Sequence, residues 1–161
     1  MDIKSRGFQC RRATLNDVSS MTEFRIRMLR EVYGRLEDGV TGELRRVCRD
    51  YFSRSIFQGN YRAWLAEDGG QPVGTGGMVL WQKPPTVGCL SGRLGYILNL
   101  YTVPELRGEG ICRGLLTELI KEAKSLGLKY VHLHASEEGL LIYRNAGFVD
   151  PPVKELELKL D

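Results

Sequence analysis

The sequence predicts a mixed α/β domain in which a central, mostly antiparallel sheet carries helices on both faces. The predicted elements follow the order strand, two helices, three strands, helix, strand, helix and one or two terminal strands. One sheet between helical layers is the economical way to pack that order. The strongly apolar segment 96–103 also has the composition of a strand at the centre of a sheet.

The first elements are a short strand and a pair of amphipathic helices. Residues 8–13 form the strand candidate, and Thr14 and Asp17 supply capping chemistry for a helix from about residue 17 to residue 31. A polar link over 34–42 leads to a second helix. The apolar face of that helix is defined by Leu44, Val47, Tyr51, Phe52 and Ile56.

The middle of the chain is predicted to be a meander of three strands. Segments 62–67 and 72–82 form a hairpin, and a turn-rich loop over 83–95 leads to the central strand. Three glycines in the second hairpin strand indicate a bulge or a close backbone approach. They are Gly74, Gly76 and Gly77.

The last third begins with a Gly-rich turn and the longest periodic helix, which ends at Gly127. A strand over 130–135 and a helix over about 137–145 follow, and the alternating tail predicts a Pro-broken pair of strands. No repeat, low-complexity tract or linker divides the chain. Residues 1–161 are therefore predicted to form one domain.

The bulk composition narrows the function classes. Apolar residues make up 42% and charged residues 27% of the chain, as in folded globular proteins. The formal charge of +3 is too small and too dispersed for nucleic acid, although it suits a phosphate-bearing small molecule. Cysteines without metal spacing, an N-terminus without a secretion signal and the lack of an apolar membrane span predict a cytoplasmic protein.

The most informative segment, residues 99–120, runs from a buried strand through a Gly-rich turn into a helix. Gly108 and Gly110 permit backbone conformations and a close approach that side chains would prevent, while the first free N–H groups of the helix point at a bound anion. Arg107 and Arg113 add positive charge at the same end. A pyrophosphate is the ligand that fits this arrangement best.

Three other interpretations of this turn compete with a pyrophosphate site. A P-loop is excluded because its spacing and its lysine are missing. A dinucleotide site would use Gly108, Gly110 and Gly114, with Glu137 near the ribose, but the third glycine comes one residue late. An antiparallel hairpin directly before the strand also argues against that site. The last alternative is a purely structural Gly-rich turn.

Two motifs together resemble the GCN5-related N-acetyltransferase (GNAT) superfamily over nearly the whole chain. Its cofactor motif, Q/R-x-x-G-x-G/A, matches the run from Arg107 to Cys112, and Cys112 departs from the usual Gly or Ala. The second motif is Tyr143 followed by Gly147 and Phe148. Ser136 stands where many members have a cofactor-contacting Asn. The similarity is greatest to small bacterial members of unknown substrate.

The resemblance implies acetyl-CoA as co-substrate and direct transfer of its acetyl group, in a ternary complex, to a primary amine of a small molecule or peptide. Backbone groups of the central strand would pair with the pantetheine arm as a further strand would. Tyr143 would protonate the departing thiolate, the alternative being a tyrosine that only packs on the sheet. The implied cofactor-binding residues are Tyr101, Thr102, Val103, Arg107, Gly108, Glu109, Gly110, Ile111, Cys112, Arg113 and Ser136.

The general base is not assigned by the sequence. Asn99 is the second catalytic candidate, as an anchor for a water or for the amine, and Tyr96 lies on the same strand. Carboxylates at Glu23, Glu31 and Glu67 are weaker candidates, since each is more often a solvated charge.

Two histidines at i, i+2, His132 and His134, are suited to metal binding or proton relay, but without ligand spacing we favour packing or a substrate pocket and predict no metal. A non-catalytic acyl-CoA-binding module is the alternative function. A homodimer is one assembly state that we consider.

Overall fold

The computed structural model describes residues 7–160, which form a sheet with helices packed on both faces. The strands are β1 (Gln9–Arg12), β2 (Tyr61–Asp68), β3 (Gln71–Gln82), β4 (Arg93–Thr102) and β5 (Val131–His132). The helices are α1 (Val18–Tyr33), α2 (Asp38–Gln58), α3 (Ile111–Ser125) and α4 (Leu140–Asn145).

The sheet follows the order β1-β2-β3-β4-β5. Its first four strands pair antiparallel, whereas β5 pairs parallel to β4 after the crossover through α3. The predicted mixed, mostly antiparallel sheet is confirmed. Among the described residues, no helix is both long and apolar enough to cross a membrane.

Each face of the sheet has its own apolar core. Side chains of α1 and α2, including Met21, Phe24 and Phe52, pack on one face with Tyr61 and Tyr101. On the opposite face, the apolar stripe of α3 packs against the sheet. The buried members of that stripe are Ile111, Leu115, Leu116, Leu119 and Ala123. Because the period of the stripe is helical, one face of α3 is buried and the other carries charges.

The start of α1 confirms the predicted capping chemistry. A 3₁₀ turn precedes the helix, and the Asp17 carboxylate accepts hydrogen bonds from the Thr14 N–H (2.8 Å) and hydroxyl (3.1 Å). Arg11 on β1 also donates to this carboxylate at 2.8 and 2.9 Å. A buried carboxylate with these donors fixes the direction in which α1 leaves the sheet.

A β-bulge interrupts β4 opposite the glycines of β3. The pairing passes from Thr75↔Tyr101 to Gly77↔Leu98, so that two residues of β4, Asn99 and Leu100, face one residue of β3. The backbone of Asn99 is left-handed, with φ of 56°, a region that Asn enters more readily than most residues. The predicted bulge is therefore present, with its extra residue on the neighbouring strand.

The close approach predicted for the β3 glycines is also present. A Cβ at Gly77 would collide with the Tyr61 hydroxyl, and one at Gly74 would lie 2.9 Å from the Tyr101 carbonyl oxygen. Side chains at these positions would therefore push β3 away from its neighbours.

Several element boundaries differ from the predictions. The helix α2 begins at Asp38, inside the predicted link, and β4 begins at Arg93, inside the predicted loop. The strand β5 is only two residues long, and α4 begins at Leu140. Boundaries set by pairing with distant strands are not encoded in local pattern.

The predicted pair of terminal strands is wrong. Segment 149–160 contains no strand, and its leucines at 156, 158 and 160 are all more than 80% exposed. Alternation favours a strand only where a partner strand covers the apolar side, and adjacent prolines at 151 and 152 lack the N–H groups that a ladder needs. Residues 1–6 and Asp161 lie outside the described residues. Residues 1–6 belong to the N-terminal segment that is predicted to lack a secretion signal.

We predict that Asp17→Asn destabilises the protein in a pH-dependent way. The hydrogen bonds from Arg11, reinforced by those from Thr14, lower the pKa of Asp17 from 3.8 to about 2. A lowered folded-state pKa contributes stability above the unfolded value, and this contribution is lost as pH falls through about 2. Urea unfolding should show that the free energy of unfolding of the variant is about 2 kcal/mol lower than that of the wild type at pH 7. This difference should narrow between pH 4 and pH 2.

The matched control is Asp38→Asn, which changes an exposed carboxylate in the first turn of α2. It should cost less than about 0.5 kcal/mol. A gap between wild type and Asp17→Asn that stays constant from pH 7 to pH 3 would contradict the ionic origin of the stabilisation.

Candidate active site

The strands β4 and β5 separate soon after they meet. Their parallel ladder consists of Gly95↔Val131 and Tyr96↔His132. From Ile97 to the end of β4, the described residues include no strand on that side. A strand with one open side presents backbone groups to which an extended molecule can pair.

The end of β4 carries an unsatisfied polar atom. The Oγ1 atom of Thr102 is buried and has no hydrogen-bond partner, whereas the Thr102 carbonyl accepts from Arg107 Nε at 3.1 Å. The Val103 N–H donates to the Val73 carbonyl at 3.0 Å and is already used. A buried orphan hydroxyl is costly, so a ligand that supplies its partner fits this position.

The Gly-rich turn forms a loop with a left-handed backbone at the start of α3. Gly108 and Gly110 have φ of 87° and 83°, and α3 begins at Ile111 without a side-chain cap. The first N–H groups of α3 therefore lack intrahelical partners. Arg113 lies over the loop, with its guanidinium 3.5 Å from the place that a Cβ at Gly110 would take. Amides, helix dipole and cation converge, as an anion site requires.

The side chains of two other motif residues contribute little to a site for an anion. Ile111 is buried in the core beneath α3, so that its backbone N–H is what it offers to a ligand. Glu109 is exposed and lines a small depression with Phe8 and Leu106. Its carboxylate adds no positive charge to the loop.

Arg107 is held by a partner that sequence reasoning missed. Its guanidinium donates to both carboxylate oxygens of Glu31 on α1, at 2.8 and 2.7 Å. The Tyr101 hydroxyl donates to the same carboxylate at 3.1 Å, and the guanidinium lies 5.5 Å from the Tyr101 ring centroid. Because Glu31 and Arg107 are 76 positions apart, no local pattern signals this contact.

Tyr143 and Ser136 lie together at the start of α4. A Cβ at Gly139 would be 3.1 Å from the Tyr143 ring and 3.3 Å from the Ser136 hydroxyl, which accepts from the Gly139 N–H at 3.2 Å. The Tyr143 ring packs edge-on against Phe148, with centroids 6.0 Å apart. The Tyr143 ring thus packs on Phe148 while its hydroxyl stays available to a ligand.

Burial raises the pKa values of two neighbouring groups. It raises the pKa of Tyr143 to about 12, with a smaller contribution from the nearby Cys112. Burial also raises the pKa of the Cys112 thiol to about 11. Cys112 is therefore a neutral thiol near neutral pH, and it takes the place of a Gly or Ala beside the Tyr143 hydroxyl.

The bulge directs the Asn99 side chain toward α1. Its Oδ1 atom accepts from Arg25 at 2.8 Å, and its Nδ2 donates to the Tyr61 hydroxyl at 2.9 Å. Burial raises the pKa of Tyr61 above its usual range, so this hydroxyl stays protonated. Asn99 therefore lies on the face of the sheet opposite α3.

The three acidic base candidates are all engaged in ion pairs. Glu23 binds Arg45 at 2.6 Å, Glu67 binds Arg11 at 2.8 Å, and Glu31 binds Arg107. None of the three is an unpaired carboxylate at the opening between β4 and β5.

A separate pocket of about 440 Å³ lies near the other edge of the sheet, between the β1 end and the end of α2. Its lining includes Thr14, Phe57 and Arg62, and none of the residues predicted for the site. Its volume is larger than that of the depression beside Glu109, about 10 Å³, but it does not include the uncapped start of α3. We therefore place the candidate site at the β4–β5 opening on chemical grounds.

Comparisons with known proteins agree on one family. The model of the acetyltransferase (GNAT) family matches residues 26–148. The uncharacterized N-acetyltransferase YjgM of Escherichia coli (strain K12) is 26% identical over 145 residues, which cover 86% of this chain and 80% of that protein.

Solved structures with this fold include two at higher identity than YjgM. A predicted acetyltransferase with acetyl-CoA from Clostridium acetobutylicum is 33% identical, with a TM-score of 0.83 over 95% of this chain and 96% of that one. A GCN5-related N-acetyltransferase from Ralstonia eutropha JMP134 is 28% identical, with a TM-score of 0.81 over 94% and 99%.

We predict that Gly110→Asp abolishes binding of acetyl-CoA, used as a probe of the loop. The change strains a left-handed backbone position and places a carboxylate at the uncapped end of α3, where it repels phosphate. Isothermal titration should show at least about a 100-fold weaker affinity, equivalent to about 2.8 kcal/mol.

Gly127→Asp is the matched control because Gly127 also has positive φ, 70°, but lies just after the other end of α3. The Gly127→Asp variant carries the same kind of backbone strain and the same added charge as Gly110→Asp. Its affinity for acetyl-CoA should equal that of the wild type. Equal losses in both variants would mean that strain alone, and not the anion site, is responsible.

Proposed function

Because the chain belongs to the acetyltransferase (GNAT) family, we propose that it transfers the acetyl group of acetyl-CoA to a primary amine of a small molecule or peptide. The observation that carries the proposal is the opening between β4 and β5, which has an uncapped α3 at its side. An extended, phosphate-bearing thioester fits an open strand beside free helix amides. The acceptor attacks directly, in a ternary complex.

The proposed cofactor contacts divide by chemistry. When bound, acetyl-CoA supplies an activated acetyl group as a thioester. Backbone groups of Tyr101 and Thr102 hold the pantetheine arm, and the orphan Thr102 hydroxyl gains a partner. Backbone N–H groups from Gly108 to Arg113 hold the phosphates. The remaining proposed contacts are Val103, Arg107 and Ser136.

Asn99 holds the acceptor amine or a water on the face opposite α3. Its amide has capacity left, since a carbonyl oxygen accepts two hydrogen bonds and an amide nitrogen donates two. Arg25 and Tyr61 each use one of these positions. The second lone pair of Oδ1 accepts from the amine, and the partners fix the orientation of the amide.

Tyr143 donates a proton to the departing sulfur. In water, a phenol is a weaker acid than a thiol by more than one pH unit, and burial raises the Tyr143 pKa further, to about 12. The hydroxyl therefore carries its proton near neutral pH and is available as a general acid for the thiolate.

Ligand binding and turnover test the proposed function separately. At 100-fold excess over Kd, acetyl-CoA should stabilise the native state by about 2.7 kcal/mol and raise Tm by about 5–10 °C. NAD and ATP should raise it less. A thiol-release assay with spermidine, an amino sugar, an aminoglycoside, free amino acids and a lysine peptide should identify an acceptor. Equal thermal shifts with NAD would refute the cofactor assignment.

We predict that Tyr143→Phe slows the chemical step about 10- to 1,000-fold while the affinity for acetyl-CoA stays nearly constant. The variant removes the hydroxyl and keeps the ring that packs on Phe148. Since a hydroxyl with a pKa of about 12 is protonated throughout, the loss should be the same at pH 7 and pH 9. Single-turnover kinetics measure it without interference from product release.

Tyr33→Phe is the control, because Tyr33 is exposed at the end of α1 and is not among the residues proposed for the site. Its single-turnover rate should equal that of the wild type. If Tyr143→Phe instead lowers Tm or affinity and leaves the single-turnover rate intact, Tyr143 has only a packing role.

A further inference from the structure

The inner end of the β4–β5 opening carries a chain of three polar side chains. The Tyr96 hydroxyl lies 2.7 Å from His134 Nδ1, and His134 Nε2 lies 3.3 Å from a carboxylate oxygen of Glu155. The rings of Tyr96 and His134 meet edge-on, with centroids 5.5 Å apart. Tyr96 belongs to β4, His134 follows β5, and Glu155 belongs to the C-terminal tail. Their side chains therefore lie across the point where β4 and β5 separate.

The chain lies on the same face of the sheet as Asn99. Tyr96 is paired with His132, and His134 follows two residues later on the same side. Leu98, two residues after Tyr96, packs in the core with α1 and α2, and the bulge turns Asn99 to that face as well. Tyr96 is therefore the polar side chain of β4 that precedes Asn99 on the face proposed for the acceptor.

For a neutral imidazole, the two contacts favour one tautomer. The Tyr96 O–H donates to Nδ1, and the Nε2–H of the neutral imidazole donates to the Glu155 carboxylate. The side chains of His134 and Glu155 are 67% and 75% exposed. A proton that arrives on His134 consequently passes on to water.

We propose that Tyr96, His134 and Glu155 form the relay that removes a proton from the acceptor amine. This inference rests on the proposed amine acetylation. The lone pair of the neutral amine forms the bond to the acetyl carbon, and the N–H that this bond makes acidic gives its proton to the Tyr96 oxygen while the Tyr96 proton moves to His134 Nδ1. The C–S bond of the thioester breaks, and the sulfur takes the proton of Tyr143. The imidazolium, paired with Glu155, returns its proton to solvent, and Tyr96 ends as a neutral phenol.

A relay explains what Tyr96 cannot do alone. Burial raises the pKa of Tyr96, and the negative charge of Glu155 raises it further, so that the phenol is not a base near neutral pH. Histidine is the side chain that changes charge between about pH 5 and pH 8. Passing the proton through the phenol to an imidazole avoids a free phenolate.

The charged and titratable groups around the relay are few among the described residues. Tyr96 faces it from β4 and Glu155 from the tail, while His132, the last residue of β5, precedes His134 by two residues and packs near Tyr130. From α1, Arg25 reaches the same face of the sheet and is bound to Asn99. A change in pH dependence after substitution at position 134 thus reports the imidazole of the relay.

The test compares His134→Gln with His132→Gln. Both histidines are exposed, His132 at the end of β5 and His134 two residues later, but the structure links His134 to Tyr96. With the best amine of the panel as probe, kcat/KM is measured from pH 5.5 to pH 9.5. We expect about a 100-fold loss at pH 7 for His134→Gln, a similar loss for Tyr96→Phe and at most a twofold change for His132→Gln.

The shape of the pH profile separates catalysis from structure. In the wild type, the acidic limb should reflect two protons, one on the amine and one on the relay, with a limiting slope of two on a logarithmic plot. In His134→Gln the slope should fall to one, since only the amine still titrates. A slope of two retained in His134→Gln would overturn the proposal, whatever the size of the rate loss.

A second measurement needs no acceptor. Histidine NMR of the free protein should show His134 protonated on Nε2 in the wild type, with its Nδ1 signal shifted in Tyr96→Phe and the signals of His132 unchanged. Protonation of neutral His134 on Nδ1 would overturn the relay. A wild type that binds acetyl-CoA but acetylates no amine would refute the proposed function, and the relay with it.

Discussion

The rest of the site depends on one constraint, which is that β4 cannot pair regularly with β3 along its whole length. The bulge at Asn99 supplies a left-handed residue in the middle of a buried strand, and such a residue costs of order 1 kcal/mol or more unless the surroundings fix it. Arg25 and Tyr61 fix it, through hydrogen bonds to both ends of the Asn99 amide. Tyr61 in turn fits because Gly77 has no side chain to obstruct its hydroxyl.

Separation of the strands divides the chemistry between the two faces of the sheet. The uncapped amides of α3 and the Arg113 guanidinium lie on the α3 face. Tyr96 and the buried amide of Asn99 lie on the α1 face. The proposed function places the cofactor on the first face and the acceptor on the second, which is the geometry that direct transfer between them requires.

The sequence was sufficient to predict the layers of the fold and the Gly-rich turn at the start of α3. Both depend on local information, namely the period of α3, the apolar composition of β4 and the glycines of the turn that links them. The β3 glycines even indicated the bulge, although the extra residue lies on β4. The capping of α1 was likewise readable from Thr14 and Asp17 alone.

The remaining features depend on distant contacts. Glu31 was one acidic residue among many until the fold brought it to Arg107, and His134 was one of two equivalent histidines until it met Tyr96. The tail shows the opposite error. Its alternating leucines satisfy the strand pattern, but a pattern of period two does not specify which strand is to be the partner.

The helix α1 joins the two halves of the site mechanically. Its Arg25 binds the bulge, and its Glu31, less than two turns later, binds the arginine of the Gly-rich loop. Since α1 is a continuous helix whose start is fixed by Asp17, these two contacts hold a constant separation. A phosphate that draws Arg107 away from Glu31 must replace the contacts to both oxygens of the Glu31 carboxylate. Because the side chains of this ion pair are nearly half exposed, the pair is weak. The loop is thus held in place without the ligand, at a cost that a pyrophosphate with several amide partners can overcome.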